Sequence, residues 1–171
     1  MLSQRARDWV YLTFLAVHIP ATLLVDVQAL FCAEYFSPAW LREIFIFAAK
    51  EDPLLTNATA PLFAWFQASL SFIILEVLFQ LPVFFLGVRG LWKRQTTICP
   101  LLALYGASSS TTTFACIATV LTTPGLTQPQ LTKLLASYVP FMLVPLAMAV
   151  DYGARMTRAM RTLEKGKAKS A

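Results

Sequence analysis

Four apolar runs, each long enough to cross a bilayer, constrain this chain more than any other feature of its sequence. They lie near Trp9–Phe31, Leu62–Val88, Ile98–Leu121 and Leu134–Tyr152. A hydrocarbon core takes about 20 residues of helix, and lipid offers no partner to an unpaired backbone group. Runs of this length are therefore helices. The predicted fold class is all-α: a polytopic membrane protein, a four-transmembrane-helix bundle. The second run is the longest and is expected to tilt or extend past the core. The fourth is short, and Pro140 and Pro145 are expected to kink it. Residues 9–152 thus form one membrane domain, and residues 153–171 a basic tail that is disordered at its end.

Charge placement sets the orientation. Charged residues make up 13% of the chain, about half the ~25% usual in soluble proteins. The net charge of +5 does not point to nucleic acid, because the charges cluster between and beyond the apolar runs. With both termini in the cytosol, Arg5, Arg7, Arg89, Lys93, Arg94, Arg155, Arg158, Arg161, Lys165, Lys167 and Lys169 share that side. Only Arg42, Lys50 and Lys133 face the other way, as the positive-inside rule requires. The first run is read as a retained span: His18 and Asp26 interrupt it and no small-x-small cleavage site follows. Cys32, Cys99 and Cys116 show neither CxxC spacing nor a disulfide framework, and they read as small apolar filler. No metal site and no cofactor are predicted.

The polar residues inside the runs carry the functional signal. Asp26 sits in Leu12–Leu30 with His18, Pro20 and Gln28, and no Lys or Arg lies in that stretch. A charge at membrane depth costs about 3 kcal/mol on insertion scales, so it must face protein, a water pocket or a ligand. In the second run Glu76 and Gln80 are one helical turn apart and share a face, either as part of a site or as glue between helices. Pro20 follows His18 by two and Pro82 follows Gln80 by two, so polar residues accompany loosened backbone in both helices. That combination is expected around a cavity between helices. His18, the one histidine, reads as a structural polar group bonded to a neighbouring helix rather than as a catalytic imidazole.

Between the first two runs, Ser37–Lys50 has a Ser N-cap, Pro38 in the first turn and near-helical apolar spacing, which predicts a short helix against the membrane or the bundle. Asp52 precedes Pro53 and reads first as a turn residue. Asn57-Ala58-Thr59 is a glycosylation sequon on the non-cytosolic side, close to the second run. The third run carries Ser108–Thr113, a hydroxyl belt suited to close helix packing. The fourth supplies Tyr138, Phe141 and Met142, a wall for a flat apolar ligand. HExxH, P-loop and GxSxG motifs are absent from the sequence. Asp26, Asp52 and Glu76 remain as acids without an internal cation. Crowded carboxyls in low dielectric share protons, which suits a cationic amine or a neutral ligand with one hydroxyl.

HIPxTLxxDxQAL around Asp26, KEDPLL around Asp52, ExxFQLP around Glu76 and SYVPFMLVP in the last run together resemble the sigma-2 receptor branch of the EXPERA family. That family also holds sterol isomerases. The resemblance covers Trp9 to Met148 and implies an EXPERA-like four-helix protein of the endoplasmic reticulum, multi-pass, with an internal ligand cavity. By that resemblance Asp26 pairs with a ligand amine, Asp52 hydrogen-bonds the first acid, and Glu76 and Gln80 form the polar pair of the second helix. Thr112, Tyr105, Tyr138 and Phe141 match pocket-lining positions. Ser108 stands where the animal receptors place a histidine, and the loop before Asp52 is shorter.

The implied ligands are sterols or oxysterols and lipophilic amines, with membrane lipid around them and a role in sterol homeostasis. A sterol-transport protein and a second copy of the chain are the candidate protein partners. An isomerase needs several acidic or imidazole groups around the sterol, and this chain has only His18 as an imidazole, so a non-enzymatic receptor is the expected function. A sterol isomerase and an interaction subunit for a sterol transporter are the alternatives. Lys169 and Lys167, third and fifth from the end, resemble the KxKxx retrieval signal of endoplasmic-reticulum membrane proteins.

Overall fold

A computed structural model describes residues 3–30, 38–50, 52, 54 and 71–170. Its helices are α1 (Gln4–Ala21), α2 (Val27–Leu30), α3 (Ala39–Ala49), α4 (Leu81–Trp92), α5 (Cys99–Thr122) and α6 (Gln128–Ser170). No strand occurs among the described residues. Four segments are long and apolar enough to cross a membrane: Gln4–Asp26, Ser71–Trp92, Thr96–Thr122 and Gln128–Gly166. Each overlaps one of the four predicted runs, the fourth being much longer than expected, and the chain is an all-α polytopic membrane protein. Phe31, the stretch 62–70 and the Asn57 sequon lie outside the described residues.

Element ends follow local chemistry. Ser3 caps α1, its Oγ accepting the Ala6 amide at 3.2 Å, so the first helix begins five residues before Trp9. For α3 the residue before the first turn is Pro38 (φ −59°, ψ 152°), which makes no side-chain cap bond; Ser37, the expected cap, lies outside the described residues. Proline fits there because it has no amide to satisfy. The tail differs most from expectation. α6 continues to Ser170 through Pro140 and Pro145, and the tail is helical instead of disordered. Met, Arg, Ala, Leu, Glu and Lys dominate that stretch, all good helix formers.

Two wide turns interrupt the first two spans. Thr22–Asp26 and Glu76–Gln80 are π-helical, with the Val27 amide donating to the Thr22 carbonyl and the Leu81 amide to that of Glu76. Each begins or ends two residues from a proline, Pro20 before the first and Pro82 after the second. Proline removes an amide from the ladder, and the wider turn reorganises the backbone around the gap.

Packing divides the bundle into a filled half and a hollow half. Tyr11, Leu15, Val83, Phe84, Leu102, Tyr105, Met148 and Tyr152 form the main buried core, on the side of the chain termini. Gly106 lets α5 close on α6: a Cβ there would overlap the Pro145 carbonyl and stand 2.7 Å from the Ala149 nitrogen. Gly87 admits Leu15 and Leu102 in the same way.

At the terminal end the bundle is clipped by charge. Arg155 donates to Asp8 at 2.7 Å and to Asp151 at 2.5 Å, and Arg7 reaches Asp151 at 3.2 Å. Tyr152 donates to Asp8 at 3.3 Å, and the Arg155 guanidinium lies 4.7 Å from the centre of its ring. The first and last spans are thereby joined, with both termini at one end.

Candidate functional site

The two π-turns face each other across the hollow half, and their polar residues meet there. Thr22 donates to Glu76 Oε1 at 2.6 Å, and His18 Nε2 lies 3.5 Å from the same oxygen. Asp26 and Glu76 are within hydrogen-bonding reach of each other. His18, Thr22 and Asp26 are spaced by four along the chain and share one stripe. The His18 ring stacks on Phe84 with centroids 4.5 Å apart and meets Phe141 edge-on at 4.6 Å. Its Nδ1 is buried without a hydrogen-bond partner among the described residues.

A cavity of about 410 Å³ opens beside this cluster. His18, Asp26, Glu76 and Gln80 line it from the first two spans, Ser109, Thr112, Thr113 and Cys116 from α5, and Ser137, Tyr138 and Phe141 from α6. Phe72 completes the wall. A smaller space of about 100 Å³, shared by Asp26, Glu76, Cys116 and Tyr138, extends it towards Leu54. At that end Tyr138 donates to Asp52 Oδ2 at 2.6 Å, and Asp52 Oδ1 accepts the Leu54 amide at 2.9 Å. Asp52 thus acts as a turn residue and as a partner of a cavity-lining tyrosine together.

Of the residues singled out from sequence, Asp26, Glu76, Gln80, Thr112, Tyr138 and Phe141 share this cavity, and Asp52 touches it through Tyr138. Tyr105 does not line it. That ring is fully buried behind the wall, edge-on to Phe84 at 5.4 Å. The Thr112 hydroxyl donates to its own helix, at 3.1 Å to the Ser109 carbonyl, which leaves its lone pairs for a donor in the cavity. Thr22 was missed, although its spacing of four from both His18 and Asp26 would have found it. Among the described residues there is no group of three or more His, Cys, Asp or Glu side chains arranged to hold a metal ion.

Chemically the site is a chamber walled by aromatic rings and hydroxyls, with its acids at one end. A cation entering it would find two carboxyls within reach of one another, and a hydroxyl would find donors and acceptors on Gln80, Thr112 and Tyr138.

Residues 39–152, more than half of the chain, match the family described as EXPERA (EXPanded EBP superfamily). The chain is similar to Sigma intracellular receptor 2 of Homo sapiens, 29% identical over 168 residues, with 86% of this chain and 88% of that protein covered. The Xenopus tropicalis protein of the same name is 29% identical over 155 residues, covering 84% and 86%. Efficient mitochondria targeting-associated protein 19 of Saccharomyces cerevisiae is 25% identical over 154 residues, covering 81% of this chain and 92% of that one.

Proposed function

The chain belongs to the EXPERA family, and on that premise we propose that it is an endoplasmic-reticulum membrane receptor. It binds sterols and lipophilic cationic amines in the cavity between its spans and acts in sterol homeostasis or trafficking, without changing the ligand covalently. The observation that carries this reading is the meeting of Asp26 and Glu76, from separate spans, at the edge of a mostly aromatic and hydroxyl-lined cavity. An ammonium supplies the cation that neither acid has beside it at membrane depth, where its own span holds no Lys or Arg, and the aromatic wall takes the flat apolar body. A sterol-transport protein and a second copy of the chain are the protein partners this reading brings with it.

A second reading, a sterol double-bond isomerase, is favoured by one contact: His18 Nε2 stands 3.5 Å from Glu76, and an acid beside an imidazole can pass a proton to and from a substrate. Both readings expect Glu76→Gln to disturb sterol binding, so turnover separates them. Given an excess of a sterol with its ring-B double bond in the pre-isomerisation position, the wild-type protein should return it unchanged, with no solvent deuterium incorporated. A product peak that grows with protein and disappears in Glu76→Gln would make the chain an isomerase.

Retention in the endoplasmic reticulum is assigned to Lys167 and Lys169, near the end of α6. Replacing both by serine is expected to shift the protein to later compartments of the secretory route, read by fractionation or imaging. An unaltered distribution would remove these lysines from the retention signal.

A further inference from the structure

A second cavity, of about 290 Å³, lies at the other end of the bundle, where the termini are. The packed core of Tyr11, Leu15, Phe84 and Leu102 separates it from the first. Its charged wall is made of Arg5, Arg94 and Arg155, with Asp8 the one acid among the described lining residues. Asp8 is taken by Arg155 at 2.7 Å, which leaves Arg5 and Arg94 as the surplus. Neither forms an ion pair with a carboxylate among the described residues. Arg155 Nε is buried and has no hydrogen-bond partner there.

Arg94 is held at some cost. It follows α4 in the left-handed region, with φ 55°, while the Gln95 amide donates to the Gly90 carbonyl at 2.9 Å. Glycine or asparagine normally occupies that position after a helix, because a Cβ there strains the backbone by roughly 1 kcal/mol or more. An arginine in that place keeps a guanidinium at the cavity. Trp9 and Trp92, also in the lining, meet edge-to-face at 5.6 Å and are 43% and 67% exposed. Exposed tryptophans at the end of a membrane span sit at headgroup depth. The cavity therefore faces the phosphate layer of the bilayer.

We propose that this cavity binds the headgroup of an anionic phospholipid bearing a phosphomonoester. Guanidinium groups pair with phosphate oxygens through two parallel hydrogen bonds, and basic pockets between spans at the membrane surface hold such headgroups. Arg5, whose guanidinium lies 5.8 Å from the centre of the Trp9 ring, and Arg94 have no carboxylate partner among the described residues, and together they match the double charge of a monoester; the single charge of a diester would leave one of them unmatched. The acyl chains remain in the leaflet alongside, so the site takes a lipid, whereas a soluble phosphate would offer only the polar part of the fit.

The test uses the full-length protein in detergent, with bound lipid read by native mass spectrometry. Wild type should retain phosphatidylinositol 4-phosphate about tenfold better than phosphatidylinositol. Arg5→Gln combined with Arg94→Asn should erase that preference, and Arg158→Gln, at an exposed position outside the cavity lining, should leave it intact. Asparagine tolerates the left-handed backbone, so Arg94→Asn alone provides a folded variant with part of the loss. Equal retention of the two lipids by wild type would overturn the proposal, as would an undiminished preference in the double variant. Displacement of the lipid by an equal concentration of inositol 1,4-bisphosphate would also overturn it, by assigning the pocket to a soluble phosphate.

Discussion

Asp26→Asn is expected to lower affinity for a lipophilic cationic amine about a hundredfold, which corresponds to about 2.7 kcal/mol. The size follows from removing the charge that faces a desolvated cation; hydrogen bonds to charged groups are worth about 1.5–3 kcal/mol, and leaving a buried cation short of a partner adds to that. Asparagine keeps the volume of the side chain and its capacity to bond Glu76, so the fold should survive, as should binding of a neutral sterol. Competition binding against a labelled amine, beside a thermal melt of the same preparation, reads both effects. Wild-type amine affinity in a folded Asp26→Asn protein would remove Asp26 from the ligand site. The specificity of the prediction lies in the contrast between charged and neutral ligands. Damage to packing would weaken both.

Arg155→Ala should be the most damaging single change at the terminal end, costing about 3 kcal/mol. Arg155 bridges Asp8 and Asp151, and its side chain is 12% exposed beside an Asp151 that is 9% exposed. Without it Asp151 keeps Arg7, at 3.2 Å, and Asp8 the Tyr152 hydroxyl, at 3.3 Å, so the polar tie between the first and last spans is weakened. For a chain of this length the loss corresponds to a fall of roughly 10 °C in the melting temperature. Lysine should rescue little, since one ammonium cannot span two carboxylates as a planar guanidinium does. A melting temperature within 2 °C of wild type would show that Arg7 and water carry the charge balance.

The four spans were legible because lipid leaves the backbone no alternative, and apolar length alone reports them. The central acids were legible for a related reason. Asp26 and Glu76 each needed a partner that their own helices lack, and a bundle this small offers few places to find one. The clip of Asp8, Asp151 and Arg155 was not legible. Those residues lie at the membrane surface, where water is an adequate partner, and Asp8 and Arg155 are 147 residues apart. Asp151 and Arg155, one helical turn apart, were the only local sign. Tyr105 shows another limit. A family position carries its place along the helix, but which way the ring turns is decided by neighbours such as Phe84.

The facing π-turns mean that the acid end of the cavity depends on counting. A π-turn is a helix carrying one surplus residue, and a residue of α-helix turns the chain by about 100°. Were either surplus residue deleted, the wide turn would close to an ordinary one and everything beyond it would swing around the axis by that angle. Asp26 would leave Glu76 and face a different neighbour, although every residue type in the span was retained. Chemistry at this site is therefore a matter of chain length as well as composition. Two chains with the same polar residues in the same order, differing by one residue between Thr22 and Asp26, would present different faces to whatever enters.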